Sequence, residues 1–344
     1  MYSKEKIINI SVYGIFHAFV DFCCAAIVFS YIGRLDVAEL LEVIILYNCL
    51  AFGLQPLIGF AADKTGNARN YAIAGCGILA LSFLFLKSPF WSVSVAGIGN
   101  AFYHIGGGVA ALKMSEGKSL LSGIFVAPGA IGLFLGTLLY KFPSFQLYWL
   151  IGLMLGAMIV ISMLDETPES KMPFEFRGNK KILVFASVLI LISIAIRSFI
   201  GLSYNFSQKS HLLLMFLFVI SVALGKAFGG WFSDKFGMFK TGVFALTASL
   251  LLLYFAYNPF WEILGIMLFN FTMPVTLTAL ADMIPDKKGV AFGLTTLFLL
   301  IGALPPVLYN ITVSRNFIFV VIVCVSVIIT GTGLKIFELN KKDL

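Results

Sequence analysis

Hydrophobic residues fall into twelve long runs along the chain, and short polar turns separate them. Runs of about 18 or more mainly apolar residues are typical of helices that cross a membrane. Segment 317–330 is apolar on every side, which excludes the alternating pattern of a membrane β-barrel. The pattern predicts an all-α integral membrane protein with twelve transmembrane helices, at about 7–31, 38–61, 70–87, 89–113, 118–141, 144–164, 181–204, 211–233, 241–257, 259–281, 288–311 and 314–336.

Composition supports this prediction and excludes several classes of protein. Of the 344 residues, 60% are hydrophobic and 12% are charged, against roughly 25% charged in soluble domains. A soluble chain of this length cannot bury so much apolar surface, so lipid must form part of its solvent. A cytosolic enzyme, a secreted domain and a nucleic-acid-binding module are therefore excluded. Because the loops hold no soluble domain and no nucleophile set or phosphate-binding motif is present, we expect neither enzymatic activity nor a cofactor.

The five cysteines all fall inside apolar runs, and their spacing does not suit zinc. We therefore expect them to be buried as small hydrophobic residues, without a disulfide. They are Cys23, Cys24, Cys49, Cys76 and Cys324.

The distribution of positive charge predicts the orientation of the chain. If both termini are cytoplasmic, 17 of the 24 Lys and Arg residues lie in cytoplasmic segments and 5 lie in outer loops. Such a bias is typical of multi-pass proteins of the cytoplasmic membrane. The net charge of +7 is thus a consequence of topology, and we expect no nucleic acid or other acidic polymer as a partner.

An internal repeat divides the chain into two parts. Ser-Pro-Phe-Trp at 88–91 precedes Asn100, and Asn-Pro-Phe-Trp at 258–261 precedes Asn270 at an offset of 170 residues. The longest loop lies between the two copies, and an even number of spans in each copy gives both the same orientation. The predicted parts are an N-terminal six-helix half, a cytoplasmic linker and a C-terminal six-helix half: 1–164, 165–180 and 181–344.

The same duplication repeats a polar turn after predicted spans 2 and 8. The first copy reads Gly-Phe-Ala-Ala-Asp-Lys-Thr-Gly at 59–66, and the second reads Gly-Trp-Phe-Ser-Asp-Lys-Phe-Gly at 230–237. Glycine lets two helices approach closely, and a carboxylate can pair with a helix end or a basic side chain in one conformation only. A solvated hairpin is the alternative for either turn taken alone. The predicted cytoplasmic gate consists of Gly59, Asp63, Lys64, Gly66, Arg69, Gly230, Asp234, Lys235 and Gly237.

Both turns resemble the signature loop of the major facilitator superfamily, Gly-x-x-x-Asp-basic-x-Gly followed by basic residues. In the first copy Asn67 and Ala68 replace two of those basic residues, so that Arg69 must act from a displaced position. The second copy retains only Lys240. The resemblance implies the major facilitator fold of two pseudo-symmetric six-helix halves. It also implies transport of a small molecule by alternating access, through a central cavity lined by spans 1, 4, 7 and 10.

The first half is most similar to the fosmidomycin-resistance branch of efflux proteins, over roughly residues 10–140. The similarity rests on Phe-His-x-x-x-Asp at 16–21, Leu-Gln-Pro-Leu-Ile-Gly at 54–59 and the stretch 97–104, which ends in Tyr-His. After this His the branch has Pro and an acidic residue, whereas Ile105 and three glycines follow here. The branch's substrate and proton pathway are therefore not transferred to this chain.

Predicted span 5 partly matches the antiporter motif of exporters in that superfamily, Gly-x-x-x-Gly-Pro-x-x-Gly-Gly. The matching residues are Gly123, Pro128 and Gly132. Small residues also allow tight packing in many membrane proteins, which is the structural alternative. The motif and the branch resemblance favour proton-coupled efflux. Uptake or facilitated diffusion of a nutrient is the first alternative, and a non-transporting sensor or lipid-modifying protein is the second.

Polar side chains inside membrane spans are costly, so each one marks a candidate site. Counted at 1.5 Å per residue, Asp21 and Arg197 lie about 21 and 24 Å from the cytoplasmic ends of their spans, and Asn100 and Asn270 lie about 16 Å from the outer ends. Histidines satisfied in the core and asparagines that only join helices are the alternatives. The predicted substrate and proton-coupling cavity contains His17, Asp21, Asn100, Tyr103, His104, Arg197 and Asn270.

Asp21 is the only acidic residue predicted near the middle of a span, whereas Glu262 lies at an outer helix start and is expected to be solvated. Burial raises a carboxyl pKa and a neighbouring cation lowers it, so His17 and Arg197 make Asp21 a candidate proton-coupling group. His17 and Asp21 could also supply two metal ligands, but no third ligand lies on a predictable face, and we expect no metal. The expected partners of a monomeric chain are a small-molecule substrate, protons and the lipid bilayer.

Overall fold

The structure is a computed structural model of the chain, and it describes residues 3–142, 144–164, 174–176, 179–206, 211–284, 286–313 and 317–343. Almost all of these residues are helical. The helices are α1 (Lys4–Phe29), α2 (Val37–Gly53), α3 (Gln55–Thr65), α4 (Ala68–Ser82), α5 (Pro89–Ser115), α6 (Leu120–Leu138), α7 (Trp149–Ser162), α8 (Lys180–Ser203), α9 (Leu212–Phe236), α10 (Met238–Tyr254), α11 (Pro259–Asn270), α12 (Thr272–Met283), α13 (Lys288–Tyr309) and α14 (Phe317–Asn340). Two short strands, β1 (Phe174–Phe176) and β2 (Lys341–Asp343), pair antiparallel.

These helices form the twelve predicted spans. Ten spans are single helices, whereas α2 with α3 forms the second span and α11 with α12 forms the tenth. Among the described residues, nine helical segments are long and apolar enough to cross a membrane, and α7 and α10 are shorter apolar helices. Helix α5 is also long enough to cross a membrane, but Asn100, His104 and several glycines lower its mean hydropathy, so it is not among these nine segments. The prediction of an all-α protein with twelve membrane spans is confirmed.

Proline accounts for both interrupted spans. Helix α2 ends at Gly53 and Pro56 lies in the first turn of α3, while α11 ends at Asn270 and Pro274 lies in the first turn of α12. A proline has no N–H, and its ring clashes with the carbonyl group four residues earlier. That carbonyl belongs to Phe52 in one case and to Asn270 in the other. The hydrophobic pattern predicts one continuous helix for each of these spans, and the two breaks correct that prediction.

Backbone geometry supports the internal repeat. Glu116 and Asp286, which an offset of 170 residues equates, have φ angles of 50° and 65°. Gly66 and Gly237, which end α3 and α9, have φ angles of 72° and 92°. Positive φ is uncommon for residues other than glycine. Its occurrence at equivalent positions indicates that the two sequence copies fold alike.

The chain forms two compact units. The first contains Met1–Met114, Pro128–Glu169 and Lys287–Gly293, and the second contains Ser115–Ala127, Ser170–Asp286 and Leu294–Leu344. In the first unit α4 packs against α1 and α7, and in the second α14 packs against α8 and α10. Each unit thus holds most of one predicted half together with the first turns of one helix from the other half, α13 in the first unit and α6 in the second. The predicted halves did not include this exchange.

The predicted linker 165–180 lies largely outside the described residues, because only 174–176, 179 and 180 of it are described. Strand β1 comes from this segment and pairs with β2, which follows α14, within the second unit.

The outer faces of the helices are apolar like their packed faces, and large hydrophobic side chains are exposed along most spans. Such surfaces face lipid in a membrane protein. Cys23, Cys24 and Cys76 are buried as predicted, but Cys49 and Cys324 lie on exposed faces, and all five thiols are free. The burial prediction is wrong for these two because an all-round apolar helix does not reveal from its sequence which side faces lipid.

Candidate functional site

The first candidate site is a cluster of polar side chains from α1 and α5 in the first unit. His17 and Asp21 lie one turn apart on α1, and their Nε2 and Oδ2 atoms are 3.2 Å apart. The Nε2 atom of His104, on α5, lies 3.6 Å from Asp21 Oδ1 and 2.8 Å from His17 Nε2. Asn100 Nδ2 donates a hydrogen bond to Asp21 Oδ1 at 3.2 Å. Four of the seven predicted cavity residues therefore meet at one place.

Hydrogen bonding fixes the positions of two protons in this cluster. His104 Nδ1 lies 3.0 Å from the Asn100 carbonyl oxygen, which only accepts, so this nitrogen carries a proton. One proton must also lie between the Nε2 atoms of His17 and His104, because neither two lone pairs nor two N–H groups can face each other at 2.8 Å. The side chains of the two histidines are only 6% and 8% exposed, whereas that of Asp21 is 18% exposed. The cluster is thus a nearly dry proton-holding site.

Glycines of α6 pack directly against the cluster. A Cβ atom on Gly129 would lie 2.6 Å from both Asp21 Oδ2 and His17 Nε2. A Cβ atom on Gly132 would collide with the backbone carbonyl of Ala18, which follows His17 on α1. Only glycine at these positions lets α6 approach the face of α1 that carries the titratable groups.

The antiporter-like residues of α6 fall into two places. Pro128 lies inside the helix, and with Gly132 it belongs to the part of α6 that borders the cluster in the first unit. Gly123 belongs to the second unit, where a Cβ atom would lie 2.6 Å from the backbone carbonyl oxygen of Lys226. The structure therefore places Gly132 against the α1 backbone at Ala18, beside the candidate proton site, and Pro128 directly before Gly129, which contacts that site.

The cluster also offers ligand atoms for a metal ion. Among the described residues, His17, Asp21 and His104 are the group whose ligand atoms lie close enough together, within 4.8 Å of one another. The sequence indicates two of these ligands, His17 and Asp21, whereas His104 lies on another helix and its proximity to them has no sequence signal. Two nitrogens on one tetrahedral zinc ion, each 2.0–2.1 Å from it, are roughly 3.3 Å apart. The Nε2 atoms are 2.8 Å apart, a distance that fits a shared proton better than a shared ion.

Tyr103 adjoins the cluster but belongs to the packed core. Its side chain is fully buried, and its hydroxyl donates to the Tyr13 carbonyl oxygen at 2.6 Å. Its ring meets that of His104 edge-on, with 6.4 Å between the ring centres. The structure therefore gives Tyr103 a supporting position behind His104.

A second candidate site lies in the second unit. Arg197 and Asn270 line a cavity of about 290 Å³. Arg197 is 8% exposed and donates hydrogen bonds to the hydroxyl groups of Thr272 and Thr276. Asn270 donates to a carbonyl of its own helix at 2.9 Å. Asp21 belongs to the other unit, so the suggested role of Arg197 as a cation that lowers the proton affinity of Asp21 stays a prediction.

The first predicted gate turn holds the beginning of α13. Asp63 Oδ1 accepts a hydrogen bond from the N–H of Gly289 at 2.7 Å, and Oδ2 accepts one from Val290 at 2.9 Å. The first N–H groups of a helix have no acceptor within the helix, and the positive end of the helix dipole favours a carboxylate. Gly59 lies one turn before Asp63, and a Cβ atom there would collide with the carbonyl of Gly289.

The second gate turn repeats this geometry at the beginning of α6. Asp234 accepts hydrogen bonds from the N–H groups of Ser119 and Leu120 at 2.6 and 3.2 Å. A Cβ atom on Gly230 would lie 2.5 Å from the Ser119 carbonyl oxygen. The offset of 170 residues carries these two donors onto those that Asp63 binds. The sequence predicted both carboxylates, and the structure identifies their partners.

The lysines after the two carboxylates contact aromatic rings one turn earlier on their own helices. Lys64 Nζ lies 4.4 Å from the centre of the Phe60 ring, and Lys235 Nζ lies 5.2 Å from the Trp231 ring. Both are cation–π contacts at exposed positions, so the basic residues stabilise the turns locally.

The remaining gate residues join helix ends. Gly66 ends α3, and its carbonyl accepts a hydrogen bond from Lys113 Nζ at 2.9 Å. Arg69 donates to the Leu164 carbonyl at 2.6 Å, just beyond α7. Gly237 ends α9 with a positive φ angle. The displaced Arg69 of the first copy therefore fastens the end of α7.

Glu262 is not solvated as its position in the sequence predicts. This residue lies in the first turn of α11, yet it is fully buried and accepts a hydrogen bond from the Tyr204 hydroxyl at 2.9 Å. The prediction of a solvated carboxylate is wrong because Tyr204, which follows α8, covers this helix start. No feature near Glu262 in the sequence identifies such a distant partner.

Comparisons with known proteins agree with this architecture. A family model of the Major Facilitator Superfamily matches residues 10–305. A variant of the E. coli fucose:proton symporter FucP has a TM-score of 0.65 at 9% identity, over 98% of this chain and 100% of that chain. The human organic anion transporter MFSD10 (TETRAN) has a TM-score of 0.65 at 15% identity, over 98% and 99%. FucP in the outward conformation has a TM-score of 0.58 at 8% identity, over 96% and 100%. No curated protein sequence matches this chain.

Twelve helical spans with a duplicated, carboxylate-capped turn define a multi-pass membrane protein of the secondary-transport class. The chain belongs to the major facilitator superfamily. The predicted fold of two pseudo-symmetric six-helix halves is confirmed by this family and by the similar solved structures. The closer resemblance to the fosmidomycin-resistance branch stays a prediction.

Proposed function

We propose that this protein exports a small molecule across the cytoplasmic membrane in exchange for protons, by alternating access. Family membership supports secondary transport rather than enzymatic activity. The bias of Lys and Arg along the chain favours cytoplasmic positions for both termini. Proton coupling rests on one observation, the convergence of His17, Asp21 and His104 from two helices into a single hydrogen-bonded cluster.

The cluster can bind one more proton by exchanging hydrogen bonds. The described arrangement has one proton between the Nε2 atoms of His17 and His104. A second proton there would set two N–H groups against each other, and each would turn to the nearer oxygen of Asp21, 3.2 or 3.6 Å away. The added positive charge would then be neutralised by the carboxylate. Proton binding therefore replaces a bond between α1 and α5 with two bonds to Asp21, which alters the packing of the two helices.

The capped turns supply the gate of the proposed cycle. Asp63 fastens the start of α13 and Asp234 fastens the start of α6. Each contact combines a carboxylate with two otherwise unbonded N–H groups, so it forms or breaks as a unit. We propose that both contacts break when the cytoplasmic side opens, and that Gly59 and Gly230 allow them to re-form.

The direction of transport rests on weaker features of the chain. Two residues of the partial antiporter motif favour export: Gly132 packs against α1 beside the proton site, and Pro128 directly precedes Gly129, which contacts that site. Uptake or facilitated diffusion of a nutrient is the second candidate function. It is favoured by Ile105 and Gly106, which follow His104 where the efflux branch has Pro and an acidic residue.

Counterflow in proteoliposomes tests this proposal. Purified protein is reconstituted, a panel of unlabelled anionic, neutral and cationic solutes is loaded one at a time, and entry of the labelled solute is followed with and without a pH gradient. We expect transient accumulation of at least one labelled solute. The amount accumulated should increase when the interior of the vesicle is more acidic than the exterior, because protons that leave the vesicle drive solute entry in an antiporter. Counterflow that is indifferent to pH would contradict proton coupling, and no counterflow of any solute would contradict transport.

A further inference from the structure

The cavity beside Arg197 contains a buried positive charge whose hydrogen-bond partners are neutral. Thr272 donates its own hydroxyl proton to the Phe269 carbonyl, and Thr276 donates its proton to the Thr272 carbonyl. Both hydroxyl oxygens are therefore free to accept from the guanidinium group, as they do. These bonds orient Arg197 without cancelling its charge.

The guanidinium group also has unused donors. Arginine carries five N–H bonds, and the two threonines take one from each terminal nitrogen. The Nε atom of Arg197 is buried and has no hydrogen-bond partner among the described residues. An unsatisfied buried donor costs free energy, and a buried cation without a counterion costs more. Each terminal nitrogen has a second N–H bond for a further acceptor, and a carboxylate or phosphate forms the strongest hydrogen bonds with a guanidinium group.

The walls of the cavity are mainly apolar. Besides Arg197, the charged group among its lining residues is Lys226, and the lining includes no Asp or Glu. Most other lining side chains are hydrophobic, such as Phe218, Phe269 and Leu299. A volume of about 290 Å³ is near the lower end of the usual range for small-molecule sites, roughly 300–1,000 Å³. The combination suits a small apolar body with one anionic end.

We infer that this cavity is the substrate subsite for a small amphipathic monoanion, whose carboxylate or equivalent group binds the terminal N–H groups of Arg197 that the threonines leave unused. The inference rests on the proposed transport function and narrows its substrate class. The helix break at Phe271 supports it, because α12 begins beside Arg197 and places both threonines in its first turns. Interrupted helices of this kind are where transporter folds build their binding sites.

Equilibrium binding of matched probes tests the charge requirement. The full chain is placed in nanodiscs of phosphatidylcholine, and dissociation constants are measured for labelled 1-naphthoate and for the neutral isostere 1-naphthamide. We expect 1-naphthoate to bind at least about tenfold more tightly, since a hydrogen bond to a charged partner contributes about 1.5–3 kcal/mol. Equal affinity for acid and amide, or preference for the amide, would overturn the inference.

Two pairs of variants locate the site. Arg197→Gln should weaken 1-naphthoate binding at least about tenfold, whereas Arg34→Gln, which removes the same charge from an exposed loop, should not change it. Gly201 lines the cavity, and a Cβ atom there meets nothing within 4 Å, so Gly201→Leu adds bulk at the cavity wall without colliding with a neighbouring residue. Gly152→Leu is the matched control, because its Cβ also meets nothing within 4 Å and it lies on α7. If Arg197→Gln does not fold, the comparison of Gly201→Leu with Gly152→Leu tests the location of the site by itself, and loss of 1-naphthoate binding in Gly201→Leu alone would support the inference. Unchanged binding in Gly201→Leu would overturn the inference.

A measurement with an anionic lipid distinguishes a soluble anion from a lipid headgroup as the occupant of the cavity. Adding phosphatidylglycerol to the nanodiscs should leave the 1-naphthoate affinity unchanged if the cavity takes a soluble substrate, and competition by this lipid would overturn that assignment. Binding is measured without any gradient, so its result is independent of proton coupling. Binding of 1-naphthoate without counterflow of any solute would contradict the proposed transport function alone, and counterflow of cations without 1-naphthoate binding would contradict the inference alone.

Discussion

The capping of α13 by Asp63 leads to a prediction with a defined size. Gly289 and Val290 lie in the first turn of α13, where an N–H group has no acceptor within its own helix. Their hydrogen bonds to Asp63 are 2.7 and 2.9 Å long, and Ala291 is the first residue nearby whose N–H bonds to a preceding backbone carbonyl, that of Lys287. Protection of these two amides from hydrogen exchange therefore depends on Asp63.

The substitution Asp63→Asn removes the charge and one of the two acceptor oxygens. One hydrogen bond is lost and the other is weakened, and a hydrogen bond to a charged group contributes about 1.5–3 kcal/mol. We estimate a loss of about 2 kcal/mol, which multiplies the population of the released α13 start by about 30.

Hydrogen exchange followed by mass spectrometry measures this change in reconstituted protein. A peptide covering 286–293 should exchange about 30-fold faster in Asp63→Asn when the start of α13 opens and recloses faster than its amides exchange. A peptide covering 117–123 should be unaffected. Asp234→Asn should produce the reverse pattern, because Asp234 binds Ser119 and Leu120. Each variant is thus the control for the other. Unchanged exchange at 286–293, or equal acceleration of both peptides in both variants, would refute the capping argument.

Two further predictions follow from close packing and from burial. Gly129→Ala places a Cβ atom 2.6 Å from Asp21 Oδ2 and His17 Nε2, so it should abolish transport driven by a pH gradient. Gly152→Ala, with open space around its Cβ, is the control and should transport normally. Normal gradient-driven transport by Gly129→Ala would contradict the assignment of the proton site. Tyr204→Phe removes a hydrogen bond from the fully buried Glu262 and should lower stability by about 1–3 kcal/mol. Thermal unfolding in nanodiscs measures this loss, and an unchanged midpoint would contradict it.

The sequence predicted those features that depend on pattern or on repetition. Apolar run lengths gave the twelve spans, and the duplicated turns identified Asp63 and Asp234 because the same residues recur at the same place. His17 and Asp21 were found together since they lie one turn apart on one helix. The depth estimate placed Asn100, one helical turn before His104, near the middle of its span, but it could not show that His104 Nε2 contacts His17 Nε2 and the Asp21 carboxylate.

Features that depend on contacts between distant segments were missed. Burial of Glu262 requires Tyr204, which lies 58 residues earlier. The exchange of helix starts between the two units depends on backbone N–H groups at Ser119 and Gly289, and such groups carry no sequence signal. Gly129 was visible only as one glycine of a small-residue run, and nothing in that pattern distinguishes contact with a titratable cluster from ordinary helix packing.

The central claim is that the cluster around Asp21 couples transport to protons. Asp21→Asn keeps the size of the side chain and its position beside Asn100 but removes the group that would neutralise a second proton on His17 and His104. The decisive measurement compares this variant with the unmodified chain in proteoliposomes, using a solute that shows counterflow, in two modes: accumulation driven by an imposed pH gradient, and exchange without any gradient. The account predicts that accumulation is lost while exchange survives. Gradient-driven accumulation that persists in Asp21→Asn would contradict it.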